Sequence, residues 1–137
     1  MSSKMRVAAI TGTSGAGKTT LIVALIRHFV TRGERVAAIK HTHHPVNEVR
    51  RGDTKMFESA GAEPVIFAGD GEAVVFSRDA TERIQFTAPR ELLDRLTSDV
   101  VLIEGFKKYD GWPQVELDRS SPLSVEDVLA NLDRIWA

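Results

Sequence analysis

The sequence predicts a three-layer α/β fold with a largely parallel sheet and an antiparallel hairpin at one flank. Three observations predict it. A short apolar run, Val7 to Ile10, leads into the glycine-rich stretch Gly12-Thr13-Ser14-Gly15-Ala16-Gly17-Lys18-Thr19, and a helical pattern follows at once. A second apolar run, Val36 to Ile39, closes a strand–helix–strand unit of the kind that forms parallel sheets. A third, Val100 to Ile103, ends in an acid, Glu104.

The glycine-rich stretch fills every fixed position of G-x-x-x-x-G-K-[ST], so the fold class narrows to the P-loop type. Its glycines let successive N–H groups turn inward on phosphate oxygens, and the following helix adds its positive N-terminal end. Gly12, Ser14, Gly15, Ala16 and Gly17 form the cradle in this reading. Lys18 reaches the terminal phosphates, Thr19 presents its hydroxyl to Mg²⁺, and Thr20 stands behind it on the first helical turn.

The elements follow in order. Leu21 and Leu25, and Ile22, Ile26 and Phe29 or Val30, recur at helical spacing until Gly33 stops the helix. Residues Val36 to Ile39 form the second strand. Asn47 to Lys55 reads as a loop, and a helix is expected from Lys55 to Ala60 with Gly61 as its stop. Pro64 to Ala68 and Ala73 to Phe76 read as a hairpin around Gly69-Asp70-Gly71-Glu72, with Arg83 to Thr87 as an alternating edge strand. Pro89 opens a short helix through Leu96 that buries Leu92, Leu93 and Leu96. Pro113 to Arg119 reads as a last strand. Ser124-Val125-Glu126-Asp127 is a capping box for a final helix carrying Val128, Leu129, Leu132, Ile135 and Trp136.

At 137 residues the chain is expected to form one domain over 1–137. A net charge of −1 argues against a general polyanion binder, so no nucleic-acid partner is expected. The longest apolar run, Leu21 to Ile26, is far short of a bilayer span, and Met1 to Met5 is a polar lead-in, so no membrane attachment is expected. The absence of cysteine excludes thiolate metal sites and fits a cytoplasmic protein.

Strands of a parallel sheet deliver ligands to their C-terminal edge. Glu104 therefore arrives beside the phosphate loop as an acid able to hold Mg²⁺ through water or orient an attacking water. Asp99 lies at the opposite end of that strand. Asp53 has two readings: a Mg²⁺ or water ligand on the same edge, or, with Thr54, an N-cap of the next helix. Lys40-His41-Thr42-His43-His44-Pro45 follows the second strand and holds three of the four histidines. One reading is an anion-binding lip in which Lys40 and the imidazoles face phosphate or an acidic ligand. A metal site is another, opposed by the close spacing, by the lack of a carboxylate among them and by Lys40. A polar loop without a role is the third. His28, alone on the first helix, is expected to face solvent or cap. Lys107 and Lys108 leave the Glu104 strand on the ligand edge.

Four stretches, in order, resemble the molybdopterin-guanine dinucleotide biosynthesis protein B (MobB) family. They are Gly12 to Thr20; Ile39-Lys40-His41-Thr42-His43-His44; Asp53-Thr54 followed by Ala60-Gly61-Ala62; and Val101 to Lys107, with a looser echo at Pro113 to Arg119. The resemblance implies a homodimer that binds the guanine nucleotide GTP with Mg²⁺ and hydrolyses it weakly. It implies an accessory role beside the molybdenum cofactor guanylyltransferase that attaches GMP to molybdopterin. It assigns phosphate contact to Gly15, Gly17, Lys18, Thr19 and Thr20, Mg²⁺ or water contact to Asp53 and Glu104, and contact with an anionic ligand to Lys40, His41 and Lys107. Two departures stand out. Lys55-Met56-Phe57-Glu58-Ser59 lacks most of the basic residues usual there, and no further strand ending in a base-reading acid follows Arg119.

Two alternatives share the frame. A small-molecule kinase using ATP would need a lid arginine, for which Arg78 and Arg83 are the candidates. A metal-delivery GTPase would use His41, His43 and His44. No arginine is read as an internal finger, so hydrolysis by the chain alone is expected to be slow.

Overall fold

A computed structural model describes residues 4–13, 15–120 and 122–137. The strands are β1 (Arg6–Gly12), β2 (Val36–His41), β3 (Val65–Ala68), β4 (Glu72–Phe76), β5 (Thr81–Gln85), β6 (Val100–Glu104) and β7 (Gln114–Leu117). They form one sheet in the order β5-β4-β3-β2-β6-β1-β7. Neighbours from β3 through β7 pair in parallel, while β3–β4 and β4–β5 pair antiparallel. This is the largely parallel α/β sheet with a hairpin flank that the sequence predicts.

The central strands are apolar on both sides, so each face needs a cover. Helices α1 (Lys18–Thr31), α2 (Gly52–Ala60) and α3 (Val125–Trp136) cover one face. Their Leu21, Ile22, Leu25, Phe57, Val128 and Leu132 pack on Ala8, Ile10, Ala38 and Leu102. A thinner layer covers the other. It consists of a 3-10 helix, Pro89–Arg95, with buried Leu92 and Leu93, and the loop carrying Phe106 and Trp112, all packed on Ala9, Ala37, Ile39 and Ile103. Side chains alternate between faces along a strand. Residues that continue the set Ala38 and Leu102 therefore emerge on the helix face, and residues that continue Ile39 and Ile103 emerge on the other.

Local differences from the sequence reading have identifiable causes. α2 begins at Gly52, with Arg51 as its N-cap and no side-chain cap. Asp53 and Thr54 therefore lie inside the first turn rather than capping it, and Thr54 Oγ1 donates to Arg51 O at 2.9 Å. The Pro89 segment winds as a 3-10 helix, with the Glu91 carboxylate accepting from the Thr87 and Ala88 amides just before it. β5 begins two residues early and is exposed. Its register is set by the antiparallel ladder to β4 instead of by a buried face. α3 keeps the capping box, with Asp127 N donating to Ser124 Oγ at 3.1 Å and Ser124 N donating to Asp127 Oδ2 at 3.2 Å. Among the described residues no strand follows β7, and no helix is long and apolar enough to cross a membrane.

Candidate functional site

β1 delivers Gly12 to the sheet edge, and the loop turns there into α1, whose N-cap is Gly17. Gly12 serves packing as well as the turn. Its φ is +144°, and a Cβ there would lie 2.5 Å from Leu117 O on β7, so only glycine lets the two strands approach this closely. Ala16 N donates to Thr13 O at 3.2 Å, which tightens the loop. Lys18 Nζ folds back and donates to Gly12 O at 3.0 Å and Thr13 O at 2.9 Å. The ammonium thus sits within the curl of its own loop. Gly15 and Thr20 are exposed and Ala16 is half-buried. Ser14 lies outside the described residues.

Thr19, Asp53 and Glu104 converge from three elements. Register pairs Ile10 of β1 with Glu104 of β6, so the acid ends level with the start of the loop. Thr19 Oγ1 lies 2.8 Å from Glu104 Oε1 and 3.2 Å from Asp53 Oδ2, its single proton shared between them. Glu104 is buried and continues the helix-face set of β6. Asp53 reaches the site because the early start of α2 turns it toward Thr19.

Lys40 completes this cluster. Its Nζ lies 2.8 Å from Asp53 Oδ2 and also pairs with Glu104. Burial pulls the ammonium's pKa down, but the hydrogen bonds to Asp53 and Glu104 outweigh burial and hold it above the usual lysine value. Two carboxylates this close need a cation between them, and Lys40 supplies it. One hydroxyl and two carboxylates are also a hard-oxygen donor set of the kind Mg²⁺ takes. The residues present therefore fit that ion.

The structure divides the residues of the expected anion-binding lip. Lys40 and His41 emerge on opposite faces of the sheet. Lys40 follows Ala38 on the helix face. His41 follows Ile39 on the opposite face, where its ring stacks on Phe106 with centroids 4.1 Å apart. Lys107 is on that opposite side too, lining a cavity of about 590 Å³ with His43, Asp70, Phe106 and Tyr109. A smaller cavity of about 270 Å³ adjoins Lys40 and Asp53 and is lined by Asn47 and Arg51. Arg78 and Arg83, the lid candidates of the kinase reading, pair on the hairpin side with Glu63 and with Glu48 and Glu72.

One residue escaped the sequence reading. A methyl group on Gly15 would lie 3.7 Å from Arg119 Cζ, which places this guanidinium beside the phosphate loop. The parallel pairing of β7 with β1 brings it there, since both strands end on the same edge. The only sequence signal was its place just after an apolar alternation, Val115 and Leu117.

Residues 7–137 match the profile of the family described as Molybdopterin guanine dinucleotide synthesis protein B, MobB. The chain belongs to the MobB family. It is 34% identical over 120 residues to the molybdopterin-guanine dinucleotide biosynthesis adapter protein of Haemophilus influenzae, covering 87% of this chain and 66% of that protein. It is 38% identical over 98 residues to the adapter protein of the same description from Escherichia coli, covering 69% of this chain and 55% of that one. The chain thus spans less than two thirds of the length of either MobB relative. A crystal structure of a MobB homologue from Bacillus stearothermophilus aligns with a TM-score of 0.47 at 26% identity, covering 96% of this chain and 72% of the other.

Proposed function

We propose that the chain binds GTP with Mg²⁺ at the Gly12–Thr20 loop and serves as an adapter in attaching GMP to molybdopterin, beside a molybdenum cofactor guanylyltransferase. Membership of the MobB family supports the pathway. The observation that carries the nucleotide site is the convergence of Thr19, Asp53 and Glu104 within 3.2 Å at the mouth of the loop. In this reading Lys18 exchanges its contacts with Gly12 O and Thr13 O for terminal phosphate oxygens. Arg119 adds a second cation from across the loop. Mg²⁺, when bound, neutralises charge on the phosphates. Thr19, Asp53 and Glu104 would hold it directly or through water, and Glu104 would align a hydrolytic water. Catalysis would rest on positioning and charge, with no covalent intermediate. Hydrolysis is slow in this account, and the homodimer implied by the resemblance is the working unit.

Calorimetric titration of GTP and ATP, each with Mg²⁺, into the chain and into Lys18→Ala tests the nucleotide. The expected result is a clear preference for GTP that Lys18→Ala abolishes. A preference for ATP would overturn the guanine assignment and favour the kinase reading.

A further inference from the structure

We propose that His41, His43 and Asp70 form a binding site for one divalent first-row transition-metal ion of the Zn²⁺ class, on the sheet face opposite the phosphate loop. His41 Nε2 lies 2.8 Å from Asp70 Oδ1, and His43 Nδ1 lies 3.3 Å from Asp70 Oδ2. The three donor atoms all fall within 4.8 Å of one another. Donors in a tetrahedral site with bonds of about 2.05 Å stand ~3.3 Å apart, so only small side-chain movements are needed to close on an ion. Two imidazoles and one carboxylate form a borderline donor set that selects transition ions over Mg²⁺.

The structure answers two of the three objections that the sequence raises. The missing carboxylate is Asp70, brought from the β3–β4 turn because β2 and β3 pair with His41 opposite Ala68. Lys40, the lysine next to His41 in sequence, points to the other side and is bound by Asp53 and Glu104, while Lys107 and Lys108 stay on this side and line the adjoining cavity. His44 takes no part in the cluster.

The ligand least free to move is the best supported. The His41 side chain is 9% exposed, against 82% for His43 and 63% for Asp70. Its ring lies flat on Phe106, tilted by 17°. Phe106 holds a left-handed backbone, φ +52°, an uncommon conformation for a bulky residue. Gly105 beside it has φ +105°, and a Cβ there would lie 2.8 Å from His41 Cβ. The strand end thus packs against His41 from the backbone side and limits its movement. Three protein ligands leave coordination positions open. They open beside the cavity that Lys107 and Lys108 line, so an anionic group is the ligand the surroundings favour there.

The test is titration of the whole chain with Co²⁺, read by visible d–d absorption, without nucleotide and in excess Mg²⁺ so that Asp53 and Glu104 do not compete. One equivalent of Co²⁺, displaced by one equivalent of Zn²⁺, is expected. His43→Ala and Asp70→Asn should each weaken binding by at least about tenfold, and both positions are exposed enough for the variants to fold. His44→Ala should bind as the parent does. Absence of a one-equivalent signal, parental affinity in either ligand variant, or loss in His44→Ala would overturn the assignment. Because no nucleotide is present, failure here leaves the GTP proposal standing, and failure of that proposal leaves this one.

Discussion

Thr19 and Glu104 stand 85 residues apart in the chain, and their side chains meet at 2.8 Å. One is on the first turn of α1 and the other at the end of β6, so the contact ties the loop to the strand beside it. Glu104 is buried and needs its donors. Thr19→Val keeps the shape and removes one donor. We expect it to lower stability by ~1–2 kcal/mol, with Thr19→Ser restoring most of the loss, both read from urea unfolding.

Lys40 holds Asp53 and Glu104 together, which makes its removal a stability experiment. Lys40→Met leaves a buried carboxylate without its cation and should cost ~3 kcal/mol in the absence of Mg²⁺. The pH dependence has a definite sign. The Lys40 pKa is raised above its ordinary value of 10.5 by Asp53 and Glu104 against the opposing effect of burial. Its contribution is therefore complete below pH 10.5 and is lost as pH rises through the higher folded-state value. The stability difference between parent and Lys40→Met should stay level from neutral pH up to about 10.5 and shrink above it. Added Mg²⁺ should rescue the variant more than the parent, since the site then lacks a competing cation.

Arg119 lies beside Gly15 and carries no other assigned task. Arg119→Ala should weaken GTP binding by about tenfold, or ~1.4 kcal/mol, with unfolding unchanged within ~0.5 kcal/mol. Because the guanidinium is exposed, the loss should diminish at high salt. Calorimetry at two ionic strengths checks it.

Phe57 is fully buried one helical turn after Asp53 and anchors α2 against α1. Phe57→Ala should cost ~3–5 kcal/mol through the cavity it leaves. Phe57→Leu should cost under ~1.5 kcal/mol. Thermal unfolding separates the two, and the alanine variant should also bind Mg²⁺·GTP more weakly because Asp53 loses its support.

The local signals in the sequence carried most of this architecture. The complete Gly12–Thr19 pattern, the apolar runs of β1, β2 and β6, and the Ser124 capping box are short-range features. Each appears where composition and spacing place it. What the sequence hid was tertiary. The alternation of strand side chains separates Lys40 from His41, yet a run such as Val36-Ala37-Ala38-Ile39 is apolar on both faces and does not reveal which face holds the helices. Asp70 reads as a turn residue until β2 and β3 are paired. Arg119 reads as the end of an isolated strand until β7 lies beside β1. Asp53 had two open readings, and the start of α2 one turn earlier than expected decided its position.

In the proposed function, Glu104 and its neighbours couple a metal ion to the nucleotide. The most direct test is the affinity for GTP measured with Mg²⁺ and with EDTA, in the parent chain and in Glu104→Gln. Mg²⁺ should strengthen binding to the parent by at least about tenfold, ~1.4 kcal/mol, and Glu104→Gln should lose this gain while keeping its affinity in EDTA. Equal affinities with and without Mg²⁺ in the parent, or the full gain retained in Glu104→Gln, would contradict it.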